Sequence, residues 1–271
     1  MKIRQRSYHD GRLIVNEDFI PLFKKNGLLS PDSIWEIKDE SVKAVVPERR
    51  TGRFFLKGSN NLQTEFYIKR YWPLPLSKRL KALTSLKWEK HNAFHEWKAL
   101  MLFHENLLPT LIPVAVGKVG KASFNITLGL KNYKRASELL EEDSGLDPEE
   151  RLMLIEKIAT YAARMHKKGF AHQDLYLVHF FIKLPDMIPF LIDLQRVVIQ
   201  KRLRRRWAIK DIAQLLFASC LVLSDKEIDH LLNAYSSEVG FDVKQDKRLF
   251  KEIKKKVSFI MKRYMRQQKK K

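Results

Sequence analysis

The period of the hydrophobic residues changes along this chain, and that change limits the fold more than any single residue does. Between residues 42 and 72 apolar and polar residues alternate, with β-formers in "VKAVV", "RFFL" and "TEFYIKRYW". A two-residue period marks strands that bury one face, so three antiparallel strands are expected here. The first two are joined by "PERRTG", a loop holding one glycine, Gly52, and the next connection, "KGSNNLQ", is a turn by composition. After "YWPLPL" the period becomes helical: Ala93, Trp97, Leu100, Met101 and His104 recur at spacings that stack on one face. Residues 111–130, "LIPVAVGKVGKASFNITLGL", return to strand character with glycine turns.

The second half starts with a helix. Asp147, Pro148 and Glu150 supply an N-cap, an N1 proline and an N3 glutamate, and Leu152, Ile155, Ile158, Ala159, Ala162 and Met165 form one face up to Gly169. Next comes "HQDLYLVHFF", then "FFIK", a turn at "LPDM" and "IPFLID", a β-hairpin ending on Asp193. From 207 onward the period is helical. The order predicts an α+β protein: a small antiparallel sheet with one main helix, then a larger, mostly helical part containing one hairpin.

Length and charge narrow the function. A chain of 271 residues, 45% hydrophobic, can bury one large core or two packed lobes. Its 52 Lys+Arg against 31 Asp+Glu leave a formal charge of +21, which calls for an anionic partner: nucleic acid, an anionic membrane surface or a phosphorylated substrate. No zinc-finger, helix-turn-helix or RNA-recognition signature is present, so nucleic acid is not an expected partner. The single cysteine, Cys220, excludes an internal disulfide framework and a cysteine metal cluster. "MKIRQRSYHDGRL" lacks the apolar run of a secretory signal, and the longest apolar stretch, 212–223, suits a core helix, so a cytoplasmic protein is expected.

Asp174 and Asp193 flank the predicted hairpin, which returns the chain and brings both to the same end; a metal site there is plausible. Upstream, Lys69 ends a strand and Glu96 lies on the first helix, where the two could pair.

The order Lys69, Glu96, His172-Gln173-Asp174, His179, Asp193 resembles the protein-kinase signature set, with "FYIK" as the lysine strand, "HQDLYLVH" as the catalytic loop and "DLQ" as the metal-binding segment. It is most similar to the lipopolysaccharide kinase family, small bacterial kinases that phosphorylate heptose or Kdo sugars of the lipid A core. "HQDLYLVHFF", "LIDLQRV" and "KDIAQLLFAS" carry that resemblance, which spans roughly residues 40 to 223.

The resemblance implies a two-lobed protein-kinase-like fold, an ATP-binding lobe over 1–130 and a catalytic lobe over 131–271, divided after "NITLGL", whose backbone would meet adenine. It also implies roles. Lys69 would hold ATP phosphates, Glu96 would hold Lys69, and Gly52 would belong to the phosphate-covering loop. Asp174 would accept the proton of the acceptor hydroxyl or orient that hydroxyl. Asp193 would bind Mg²⁺, with His179 in the position of a second metal ligand; His172 and Asp211 would brace the loop. Arg196, Arg202, Arg204 and Arg205 would clamp the negative groups of a lipopolysaccharide core acceptor, heptose I foremost. The run "KRLRRR" reads equally as a solvated segment. The basic tail from 251 reads either as an amphipathic helix on the inner membrane's cytosolic face or as a terminal helix packed on the second lobe. An acidic partner such as an acyl carrier protein is compatible with the charge.

Two other readings stay open on sequence alone. One is a kinase-like enzyme with a different acceptor: a protein, another glycan, Kdo or an aminoglycoside. The other is a non-catalytic kinase-like or basic binding protein, for which Gln173, His179 and the glycine-poor loop speak.

Overall fold

The computed structural model describes residues 3–42, 48–58, 61–73, 92–141 and 145–269. The chain divides into two compact units, Met1–Lys131 and Asn132–Lys271.

The first unit is built on a seven-stranded antiparallel sheet. Its strands are β1 (Gln5–Tyr8), β2 (Leu13–Asn16), β3 (Glu40–Ser41), β4 (Arg49–Lys57), β5 (Gln63–Tyr71), β6 (Pro113–Val119) and β7 (Ala122–Leu128), in the order β1-β2-β6-β7-β5-β4-β3. Two short helices, α1 (Ile20–Lys25) and α2 (Pro31–Trp35), lie between β2 and β3, and a longer one, α3 (Ala93–Glu105), precedes β6. The strand period sorts the side chains. Phe66 and Ile68 of β5 and Phe124 and Ile126 of β7 enter a core shared with Phe23 of α1 and Ile34 of α2. Tyr71 instead joins Ala93 and Trp97 of α3. Lys69, two residues before Tyr71, therefore shares the α3 face of the sheet.

The one main helix expected beside the sheet is α3; residues 3–41, for which no element was expected, add a hairpin of four-residue strands and two short helices. One expectation changes. The segment around Gly52 is strand, not loop: Gly52 lies within β4, opposite Ile68 of β5 and Ser41 of β3. The glycine has a packing reason, because a Cβ there would overlap the carboxylate of Asp39. That carboxylate is buried and binds Arg70 at 2.7 Å and Arg50 at 3.2 Å. The strand expected over "VKAVV" lies, past Val42, outside the described residues.

The second unit opens with β8 (Tyr133–Arg135), α4 (Ala136–Leu139) and α5 (Pro148–Lys167). Asp147 accepts hydrogen bonds from the amides of Glu149 and Glu150, while Glu150 accepts from the Asp147 amide, a reciprocal cap that contributes about 1 kcal/mol. Ile155, Ile158, Ala159, Ala162 and Met165 are fully buried, whereas Leu152 is exposed because it sits in the first turns, off the buried stripe. Gly169, at φ +84, follows the helix and packs against the Gln200 carbonyl, where a side chain would not fit. Then come β9 (Phe170–Ala171), the hairpin β10 (Phe180–Lys183) and β11 (Ile188–Leu191), and β12 (Val198–Ile199), which pairs with β9. The unit closes with α6 (Arg205–Ser219), α7 (Asp225–Val239) and α8 (Lys247–Gln268). α8 packs on α6, burying Leu249 and Ile253 and setting the Tyr264 ring 5.4 Å from that of Phe217.

Candidate active site

In the first unit, Lys69 donates to Glu96 at 2.6 Å, with the two side chains 15% and 1% exposed. A buried carboxylate is tolerated only when its lone pairs are met. Glu96 also accepts from the Tyr71 hydroxyl at 2.8 Å and from the Asn125 amide at 3.1 Å. Asn125 lies opposite Lys69 in the β5–β7 register, so strand pairing delivers it to the same place. The result is an ammonium held by a fixed acid at the edge of a polar cluster, a stance suited to an anionic oxygen ligand.

In the second unit, the loop after β9 is organised from beneath. Asp211, wholly buried on α6, accepts from the His172 amide at 2.6 Å and the Gln173 amide at 2.8 Å. His166 donates to the same carboxylate at 3.3 Å through Nε2, and its Nδ1 faces the Tyr235 hydroxyl at 2.7 Å. Gln173 has φ +73, a conformation costing a non-glycine residue about 1–3 kcal/mol. It is held on the carbonyl side as well, by Lys210 at 2.6 Å and by the Gln214 amide at 3.1 Å. The strain places the next residue, Asp174, with its carboxylate at the surface of the loop.

His172 donates through Nε2 to the Ile192 carbonyl at 2.9 Å, bracing the loop against the segment that carries Asp193. His179 donates through Nδ1 to the Asp174 carbonyl at 2.7 Å, which leaves the Nε2 lone pair available. Burial, followed by the neighbouring His172, pushes the His179 pKa below its ordinary value, so the ring is neutral near pH 7. Asp193 follows β11 in the left-handed conformation, φ 65, and its charge acts on the His179 ring.

Arg196 donates to the Asp174 carboxylate at 2.6 Å. The other three arginines grouped with it in sequence lie elsewhere in the unit. Arg202, Arg204 and Arg205 line a cavity of about 660 Å³ together with His166, Tyr235 and Asp246, and none of Asp174, His179 or Asp193 is among its described lining residues. Arg205 is paired with Asp246 at 3.3 Å and with Glu252 at 3.5 Å.

Sequence reading passed over Tyr71, Asn125, Lys210 and Gln214. Tyr71 was accessible, since it stands two residues from Lys69 on the same strand face. Lys210 and Gln214 flank Asp211 at helical spacing. Asn125 needed the strand register.

The model of the lipopolysaccharide kinase (Kdo/WaaP) family matches residues 32–235, most of the chain. The chain belongs to that family. As a lipopolysaccharide kinase it is a phosphotransferase whose acceptor is a sugar hydroxyl. It is 29% identical over 258 residues to the lipopolysaccharide core heptose(I) kinase WaaP of Escherichia coli, covering 86% of this chain and 96% of that one. It is 28% identical over 182 residues to the WaaP of Pseudomonas aeruginosa, covering 60% and 68%. Among solved structures, WaaP in complex with acyl carrier protein superposes with a TM-score of 0.71 at 20% identity, over 91% of this chain and 98% of that one. An aminoglycoside-3'-phosphotransferase of type VIII does so at 0.50 and 14% identity, over 80% and 93%. Both likenesses speak to the fold, which is kinase-like.

Proposed function

We propose that this lipopolysaccharide kinase transfers the γ-phosphoryl group of ATP to a hydroxyl of heptose I in the inner core. The observation that carries this reading is the loop at Asp174, whose strained backbone is clamped by Asp211 while its carboxylate, paired with Arg196, stands at the loop surface. Phosphoryl transfer asks little of a protein beyond positioning and charge neutralisation. The sugar oxygen bonds to phosphorus as the bond to ADP breaks, and the hydroxyl proton passes to Asp174. Lys69, steadied by Glu96, would hold nonbridging phosphate oxygens. His172 and Asp211 would keep the loop in register.

A magnesium ion fits the residues present. No group of three or more His, Cys, Asp or Glu converges among the described residues. Magnesium bound with a nucleotide needs only one or two carboxylates, the rest being phosphate oxygens and water. Asp193 would hold it, with His179 reaching one of its waters through Nε2, and the ion would supply charge neutralisation to the phosphates. Gly52, within β4 and packed on Asp39, would contribute to ATP binding only through its backbone.

The kinase would work at the cytosolic face of the inner membrane. No described helix is long and apolar enough to cross a membrane. On α8, exposed Phe259 and Met265 stand among exposed Lys255, Lys262 and Arg266, a face suited to anionic headgroups at about 1 kcal/mol per basic residue. An acidic protein such as acyl carrier protein is a second fitting partner, supported by the +21 charge and by that protein's complex with WaaP.

Mass spectrometry of defined core acceptors after incubation with Mg-ATP tests the assignment. One added phosphate on a heptose I-containing acceptor is expected. Phosphate on Kdo alone, on peptides, or on no acceptor would overturn it.

A further inference from the structure

Asp174 is covered. One carboxylate oxygen receives Arg196 Nη1 at 2.6 Å, and the other faces the Gln214 amide at 3.5 Å. Lys210, half-buried behind the loop, feels both groups: burial first, then Arg196, lower its pKa, while Asp174 raises it. Arg196 is 53% exposed, so its guanidinium keeps a free side while it rests on Asp174.

We propose that Arg196 is a specificity-determining gate: it rests on Asp174 in the free enzyme and moves to a carboxylate or phosphate on the acceptor, uncovering Asp174 for the neighbouring hydroxyl. This rests on the kinase reading above. Magnitudes decide whether such a gate can open. An ion pair as exposed as this one holds its partners by a factor of about five or less. A planar guanidinium bound through two hydrogen bonds to an anionic group gains roughly ten- to a hundredfold. The anionic acceptor wins the exchange. A neutral sugar offers nothing to draw Arg196 away, so it meets a covered carboxylate. Lys210 does not follow Arg196, being tied to the Gln173 carbonyl at 2.6 Å and to its side-chain oxygen at 3.2 Å.

The test compares kcat and KM for two acceptors, a heptosyl-Kdo glycoside and the same compound with its carboxylate reduced to the alcohol, in wild type, Arg196→Ala and Arg196→Lys. Wild type should favour the anionic acceptor by about tenfold or more in kcat/KM. Arg196→Ala should abolish that preference, raising KM for the anionic acceptor and increasing kcat on the neutral one by up to about fivefold. Arg196→Lys should restore part of the preference. An equal fall in kcat on both acceptors with KM unchanged would make Arg196 only a support for Asp174 and overturn the gate, as would unchanged kinetics in both variants. Absence of transfer by wild type to either acceptor would instead overturn the kinase reading, and the gate with it.

Discussion

Replacing Asp211 tests how the loop at Asp174 is held. Asp211→Ala removes a wholly buried carboxylate and leaves the amides of His172 and Gln173 without the partners they meet at 2.6 and 2.8 Å. A hydrogen bond to a charged acceptor contributes about 1.5–3 kcal/mol, so the two together are worth roughly 3–6 kcal/mol. Part of this returns, because Gln173 would relax from its positive φ and release about 1–3 kcal/mol of strain. The net loss is about 0–5 kcal/mol, centred near about 2.5 kcal/mol, a sizeable share of a total stability of roughly 5–15 kcal/mol. Asp211→Asn keeps one acceptor oxygen and turns an amide donor toward the other N–H, so it should lose about half as much. Hydrogen exchange read by mass spectrometry over the peptide spanning residues 170–176 measures the local effect. Protection should fall in the Asn variant and fall further in the Ala variant. Because Asp174 shifts with its neighbour, kcat should drop by roughly a hundredfold while the KM for ATP is kept. Native-like protection together with native-like turnover in Asp211→Ala would refute the claim that this carboxylate holds the loop.

Other substitutions probe separate parts of the account. Gly52→Ala should lower the thermal midpoint by several degrees, because the new methyl displaces Asp39 from its bonds to Arg70 and Arg50; an unchanged midpoint would mean that the packing reason given for this glycine is wrong. Mg-ATP should raise the thermal midpoint of the wild type, and Lys69→Ala and Asp193→Ala should each abolish that rise; a full rise in either variant would remove that residue from nucleotide binding. Burial lowers the pKa of His104, whose Nε2 lies 3.0 Å from the Leu111 carbonyl. Its stabilising contribution is therefore complete above the unfolded value near 6.5 and is lost as pH falls below it. Between pH 7 and 5 the wild-type midpoint should fall more than that of His104→Gln, and equal slopes would contradict this.

Local signals were legible in the sequence, and non-local ones were not. The α5 start was readable because Asp147, Pro148 and Glu150 satisfy the first helical amides within four residues. The buried face of α3 followed from period, although Glu96 and Phe103 belong to it as fully as Ala93 and Leu100. The β1–β2 hairpin was missed because four-residue strands show too few alternations to stand out. Gly52 was misplaced because a lone glycine reads as a turn, and its true reason is a carboxylate thirteen residues upstream that packs on the strand. Arg196 and Arg205 look alike in the basic stretch after Asp193, yet one reaches Asp174 and the other Asp246. That separation arises where the chain leaves β12 and starts α6, and composition says nothing about it.

The central claim is that the carboxylate of Asp174 serves the chemical step and not the binding of nucleotide. Single-turnover transfer from radiolabelled Mg-ATP to a heptose-containing core acceptor, run with wild type and Asp174→Ala, tests it most directly. The account predicts label on the acceptor for wild type, none for the variant, and equal retention of nucleotide by the two proteins. Label reaching the acceptor at the wild-type rate in Asp174→Ala would contradict it.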